Sequence, residues 1–187
     1  TDDDEFLQLK EHPVIGERIV RKVDYFADMA RIVRSHHERF DGKGYPDGTR
    51  GSATPIESAI ICVADAYDAM TSRRSYSAAR LQDEGMSLLA RNAGAAFDPA
   101  LVRLFITLMG VYPARSVVRL SNDETGVVLG RSDGDILKPV VRVIAAEDGS
   151  MIEPFDVDLG DPMQAEGRTI VRCLDPEGMN VDVEEFL

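Results

Sequence analysis

The chain has 187 residues and three histidines, His12, His36 and His37. Two of them open the run His36-His37-Glu38-Arg39-Phe40-Asp41-Gly42-Lys43-Gly44-Tyr45-Pro46. Imidazole nitrogens are the commonest side-chain ligands of transition metals, and carboxylates complete such sites. Adjacent residues of an α-helix point about 100° apart, because each turn holds about 3.6 residues. On a continuous helix His36 and His37 would therefore serve two neighbouring ions rather than grip one. Hydrolytic two-metal sites space their ions by roughly 3.5–4 Å. Asp41-Gly42 and Pro46-Asp47-Gly48 are turn signatures, so the helix should end at the imidazoles and a glycine-rich loop should fold over what they hold.

A second group of donors lies in Asp65-Ala66-Tyr67-Asp68. Asp65 and Asp68 share a helix face, and an aspartate beside Ile61, Cys62 and Val63 is costly to bury without a cation. On this pattern alone, Asp65 reads equally well as a metal ligand and as an ordinary helix-face aspartate. A lone histidine such as His12 more often hydrogen-bonds within a core.

The elements that must carry these residues follow from periodicity and punctuation. Thr1 to Glu5 can cap a helix and place acids at its positive end. Phe6, Leu9, Ile15, Ile19, Val20 and Val23 keep a helical period, interrupted at His12-Pro13. A second helix is expected from about Asp24, with Phe26, Met29, Ala30, Ile32 and Val33 inward and the histidine pair at its end. Thr54-Pro55 opens a third helix through Met70, because threonine caps well and proline suits the first helical turn. A fourth is expected over 79–91, stopped by Asn92-Ala93-Gly94, and a fifth after the cap Asp98. Beyond Pro113 the pattern changes to short β-rich runs at 116–120, 126–130, 139–144, 155–159 and 168–173, with turns at Asn122-Asp123 and Asp148-Gly149. The expected fold is mainly α: a helical bundle over 1–113, then a small antiparallel β appendage over 114–187.

The eleven-residue run resembles the HHExxDGxGYP signature of HD-GYP domains, a branch of the HD metal-dependent phosphohydrolases that acts on cyclic di-GMP. Eight specified positions match without a gap, and the likeness extends from about residue 6 to 113. His12-Pro13-x-x-Gly16 resembles the family's HPxxG element, and Asp65 to Ala69 its aDxyDA element. The resemblance implies His12, His36, His37 and Asp65 as metal ligands, with Glu38, Asp41 and Asp68 orienting them from behind. It implies Lys43, Gly44, Tyr45, Pro46 and Arg74 as the substrate-facing set. Two divalent ions are implied, iron or manganese, with zinc as the alternative for a donor set lacking thiolate. Thr71-Ser72-Arg73-Arg74-Ser75-Tyr76-Ser77 departs from the family's tSxRPYR segment: serine replaces its proline and its last basic residue.

The family's eponymous His-Asp pair has no counterpart in Thr1 to Glu11. The first residue is threonine, which suggests a piece of a longer, response-regulator-like protein. The expected activity is therefore metal-dependent hydrolysis of cyclic di-GMP in bacterial signalling, with the chain alone inactive. The alternative is a catalytically silent module that binds cyclic di-GMP or a GGDEF cyclase through Gly44-Tyr45-Pro46.

Composition bounds the rest. Twenty-one Lys and Arg face 33 Asp and Glu, a net charge of −12. That balance argues against nonspecific nucleic-acid binding, which rests on neutralising phosphates. Cys62 and Cys173 form no C-x-x-C pair and sit in apolar runs, as small hydrophobes of a reducing cytoplasm would. No apolar run approaches the roughly 20 residues that span a bilayer. The expected partners are cyclic di-GMP, GGDEF-domain proteins and a second copy of the chain in a homodimer, with no nucleic acid and no membrane.

Overall fold

A computed structural model of the chain describes residues 8–72, 80–133, 135–179 and 181–187. The chain forms two compact units, one of residues 1–70 with 88–104, the other of 71–87 with 105–187. Among the described residues no helix is long and apolar enough to cross a membrane.

In the first unit α1 (His12–Val20) packs against α2 (Ala30–Ser35). Pro13 stands near the start of α1, where a missing N–H costs no helical bond. Gly16 allows the two helices to approach: a Cβ there would lie 2.9 Å from Val33 Cγ1. Between them a 3₁₀ turn spans Asp24–Met29, and it overturns one expectation. Phe26 and Met29 are exposed, whereas Ala30 is buried. A 3₁₀ turn holds about three residues, so the 3.6-residue stripe that should have turned them inward does not form.

The long helix α3 (Ile56–Thr71) begins after Thr54-Pro55 as expected. Its fully buried Ser58 donates to the Ile32 carbonyl at 3.0 Å, fixing it beside α2. The helices α4 (Gln82–Arg91) and α5 (Pro99–Met109) follow, separated by a turn at Gly94 with φ 84°. Asp98 Oδ1 accepts from Ala100 N at 2.7 Å, the cap its position predicts. Thr1 to Leu7, with the proposed first cap, lie outside the described residues.

In the second unit β1 (Val117–Leu120), β2 (Thr125–Arg131), β3 (Pro139–Ala145), β4 (Met151–Asp158) and β5 (Ile170–Leu174) form one antiparallel sheet ordered β4-β3-β2-β1-β5. The first four strands are a meander, and β5 returns to the free edge of β1 after the short helix α6 (Pro162–Ala165). Asp123 with φ 63° and Gly149 with φ 81° occupy the β1–β2 and β3–β4 turns. Gly126 faces the Val141 side chain so closely that no Cβ fits.

Both faces of the sheet are covered. Val118, Leu120, Val128, Val141, Val143 and Val157 pack in one cluster, and Val117, Val127 and Ile144 pack on the other side with Phe186. The description "mainly α" therefore holds only for the helical part. The strands build a sheet with its own core, because valines that alternate across the pleat are apolar on both sides. Cys173 is buried in this core and Cys62 is partly buried in the helical unit; both are free thiols.

Leu120 is 1% exposed and Leu108 is 62% exposed. In urea unfolding followed by circular dichroism, Leu120→Ala should cost about 2–5 kcal/mol. Leu108→Ala should stay within about 0.5 kcal/mol of the parent chain.

Candidate metal centre

The helix α2 ends at Ser35, before the histidine pair. His36 occupies the C-cap, and His37 lies in the turn that follows. His36 keeps a right-handed backbone with φ −70° and ψ −10°, and the two rings tilt together with centroids 4.1 Å apart. His12, at the first position of α1, meets both. Its Nε2 lies 3.2 Å from His36 Nε2 and 3.1 Å from His37 Nε2. The three imidazoles each offer a ligand atom within 4.8 Å of the others.

The hydrogen bonds on the far side of two rings decide what those nitrogens present. His12 Nδ1 donates to the Leu9 carbonyl at 2.6 Å, and His36 Nδ1 donates to the Val33 carbonyl at 2.6 Å. In a neutral imidazole only one nitrogen carries a proton. In that form both Nε2 atoms present lone pairs, and their 3.2 Å separation suits a shared proton or a cation between them. Burial, then the neighbouring His36 and His12, push the pKa of His37 down to about 4. Nitrogens about 3 Å apart match neighbouring corners of a coordination shell with metal–nitrogen bonds of about 2.0–2.1 Å. Three convergent imidazoles, two of them with a bonded Nδ1, fit a divalent transition metal in donor type and spacing.

Asp65 lies on α3 and is outside the set whose ligand atoms come within 4.8 Å, but its charge reaches the His37 ring and the Tyr45 hydroxyl. Asp68, one turn further along the same helix, is engaged in an interaction of its own. Arg74 lies outside the described residues.

The loop after the histidines is closed by Glu38. This side chain is only 3% exposed. Its Oε1 accepts from Asp47 N at 2.7 Å and its Oε2 from Thr49 N at 3.0 Å. The Cys62 thiol donates to its main-chain carbonyl at 3.6 Å, and burial raises that thiol's pKa to about 11. So clasped, the loop turns back on itself. A Cβ on Gly44 would fall 2.6 Å from both Glu38 Cα and the His37 carbonyl oxygen, and nearer still to Arg39 N. Only glycine fits there. Tyr45 N then donates to the His37 carbonyl at 3.3 Å, and its ring stacks on His37 with centroids 4.8 Å apart and planes at 27°. The Tyr45-Pro46 peptide is cis. Lys10 Nζ stands 5.7 Å from the centre of the Tyr45 ring, and Lys43 is exposed.

Asp41 serves the loop rather than the rings. It pairs with Arg39 Nε at 3.1 Å and Nη2 at 2.9 Å and accepts from Lys43 N at 3.1 Å. The Arg39 guanidinium pulls its pKa down to about 2.

Two supports have no local sign in the sequence. Phe40 N and Asp41 N donate to the carbonyls of Ala96 and Ala95 at 3.0 and 2.9 Å, so the bend between α4 and α5 anchors the loop. Arg34 donates from Nε and Nη2 to Asp47 at 2.6 and 2.7 Å, and from Nη1 to Glu17 at 2.7 Å. An alternating charge pattern could have nominated Arg34, but nothing in the sequence pairs it with a residue 13 positions on.

A family model described as an HD domain matches residues 1–101. The cyclic di-GMP phosphodiesterase PA4108 of Pseudomonas aeruginosa is 35% identical over 162 residues, covering 84% of this chain and 38% of its own length. The cyclic di-GMP phosphodiesterase response regulator RpfG of Xanthomonas campestris is 42% identical over 102 residues, covering 54% of this chain and 27% of its own. The 3'3'-cGAMP-specific phosphodiesterase 3 of Vibrio cholerae is 35% identical over 98 residues, covering 52% and 21%. The chain thus spans between 21% and 38% of the length of these relatives.

Arg34 lowers the pKa of both Glu17 and Asp47. A carboxylate depressed on folding stabilises above its unfolded pKa, about 4, and loses that contribution as pH falls through its lower folded value. Protection of the Asp47 and Thr49 amides against hydrogen exchange, corrected for intrinsic rates, should be flat from about pH 7 to 5 and fall below about pH 4. In Arg34→Gln the protection should be weak throughout. Equal protection in both proteins would show that the latch does not hold the loop.

Proposed function

The chain belongs to the HD domain family, and from that premise we propose that it is the metal-binding part of an HD-GYP-type phosphodiesterase that hydrolyses cyclic di-GMP. One observation carries the reading: three imidazoles converge, with the Nδ1 groups of His12 and His36 bonded behind them and the Nε2 atoms of His36 and His37 within 3.2 Å of His12 Nε2. The relatives' names supply the reaction class, and the matching signature loop beside these rings supplies a place for substrate.

In this reading His12, His36, His37 and Asp65 hold metal, with two divalent ions as the full complement and iron or manganese preferred over zinc. Such ions lower the pKa of bound water and neutralise a phosphodiester. The chain's own residues do the rest. The Leu9 and Val33 carbonyls fix the tautomer of two rings and keep their nitrogens turned inward. Glu38 holds the loop shut, and Asp41 keeps Arg39 and the Lys43 backbone in place. Tyr45 covers His37 and excludes water from one side of its ring. Lys43, Gly44, Tyr45, Pro46 and Arg74 would face the dinucleotide, bringing local cations to a dianion that the net charge of −12 would otherwise repel. GGDEF proteins, through the same loop, and a second copy of the chain remain the proposed partners.

A catalytically silent binding module is the second reading. It is favoured by Asp65 lying outside the close imidazole set.

Two measurements test the proposal. In calorimetric titration with Mn²⁺, His12→Ala should bind the ion at least about tenfold more weakly than the parent, since even the outer partners of metal ligands are worth about 10–100-fold. Equal affinity would remove the imidazoles from metal binding.

The second measurement is product formation from cyclic di-GMP and from 3'3'-cGAMP, with residues 1–187 alone and with any native residues that precede Thr1 restored. The short chain should turn over little, because three neutral imidazoles and one aspartate offset poorly the repulsion of two close divalent ions. The extended chain should hydrolyse cyclic di-GMP, and its Arg74→Ala variant should bind it about 1.5–3 kcal/mol more weakly. An inactive extended chain that still binds the dinucleotide would establish the silent module.

A further inference from the structure

The helical unit contains a cavity of about 340 Å³ whose lining does not include the three imidazoles, Tyr45 or Asp65. Phe40, Phe97, Leu101 and Cys62 give it apolar walls, and Arg31 and Arg39 contribute guanidinium groups. Its volume falls at the small end of the range of about 300–1,000 Å³ in which proteins bind small molecules.

Its polar inventory is lopsided. The two carboxylates in the lining already accept backbone N–H groups: Glu38 from Asp47 and Thr49, Asp98 from Ala100. The Cys62 thiol is kept protonated by burial, with its pKa near 11, so it adds no anion. The donors are less occupied. A guanidinium carries five N–H groups. Among the described residues Arg31 makes one hydrogen bond, from Nη2 to the Ala53 carbonyl at 2.9 Å. Arg39 uses Nε and Nη2 on Asp41, which leaves Nη1. A ligand entering this space meets aromatic and aliphatic walls together with guanidinium N–H groups that protein atoms only partly fill, those of Arg31 being exposed.

We propose that this cavity binds a small organic anion with a flat apolar body, its charged head on Arg31 and its body between Phe40, Phe97 and Leu101. The same site touches the metal-binding loop. Glu38 and Arg39 line it, and the backbone of 37–39 is the surface against which Gly44 packs. Occupancy is therefore transmitted to Gly44 and Tyr45, which makes the cavity an effector site for the loop. The proposal stands on the cavity alone and does not depend on the phosphodiesterase reading.

The test is a ¹H–¹⁵N NMR titration of the full chain, without added metal, using sodium benzoate as the probe. Benzoate should produce saturable shifts at the amides of Phe40, Ala59, Cys62 and Phe97 that extend to Gly44. Benzamide, which keeps the ring and loses the charge, and inorganic phosphate, which keeps a charge and loses the ring, should each bind at least about tenfold more weakly. Arg31→Gln should weaken benzoate by a similar factor, and Leu101→Trp should fill the space and abolish the shifts. If Arg31→Gln alters the whole spectrum, the comparison of the three probes on the parent chain still decides. Equal binding of benzamide or of phosphate, or benzoate shifts centred on His12 and His37, would overturn the proposal.

Discussion

A carboxylate that is 3% exposed must be satisfied where it lies, and Glu38 is satisfied by the backbone of its own loop. Its two oxygens take the N–H groups of Asp47 and Thr49, nine and eleven residues on. That requirement forces the chain to return on itself between Phe40 and Asp47. The returning strand must then pass directly over residues 37–39, where any side chain on Gly44 would collide with main chain. Tyr45 is delivered against His37 as a consequence. Removing the carboxylate would leave two buried N–H groups without partners and the loop without a reason to close.

Around this clasp the supports are layered by distance from the rings. The carbonyls of Leu9 and Val33 act directly on the imidazoles and set which nitrogen holds the proton. Asp41 and Arg39 brace the first turn of the loop, while the carbonyls of Ala96 and Ala95 accept the Phe40 and Asp41 N–H groups. The Glu17–Arg34–Asp47 group fastens the far end of the loop to α1. A site that must hold lone pairs about 3 Å apart before any cation arrives needs such bracing, because free side chains would rotate apart.

The two units differ in how they finish their surfaces. The sheet buries valines on both faces and is closed by its own connections. The helical unit leaves Leu9, Ile15, Ile19, Ile56 and Ile60 between 49% and 61% exposed. Such apolar faces on neighbouring helices are more than the scattered exposure normal for a folded surface.

The sequence by itself determined which residues could do chemistry and the local elements that carry them. The His36-His37 pair is read from the sequence, and His12 joins it through the resemblance to the HPxxG element; the glycine turns, the Thr54-Pro55 and Asp98 helix starts and the five β-rich runs are read from local pattern. These are local properties: a cap, a turn or a pleat is set by residues a few positions apart. Tertiary structure decided whether the histidines meet. Adjacent His36 and His37 stand at the end of α2 with their rings 4.1 Å apart, and α1 brings His12 to them from 24 residues away. It also decided that Phe26 and Met29 face outward, that Glu38 closes the loop, and that the strands form a core of their own. Each of these depends on partners distant in sequence, and no local pattern records which distant backbone a buried carboxylate or a free strand edge will find.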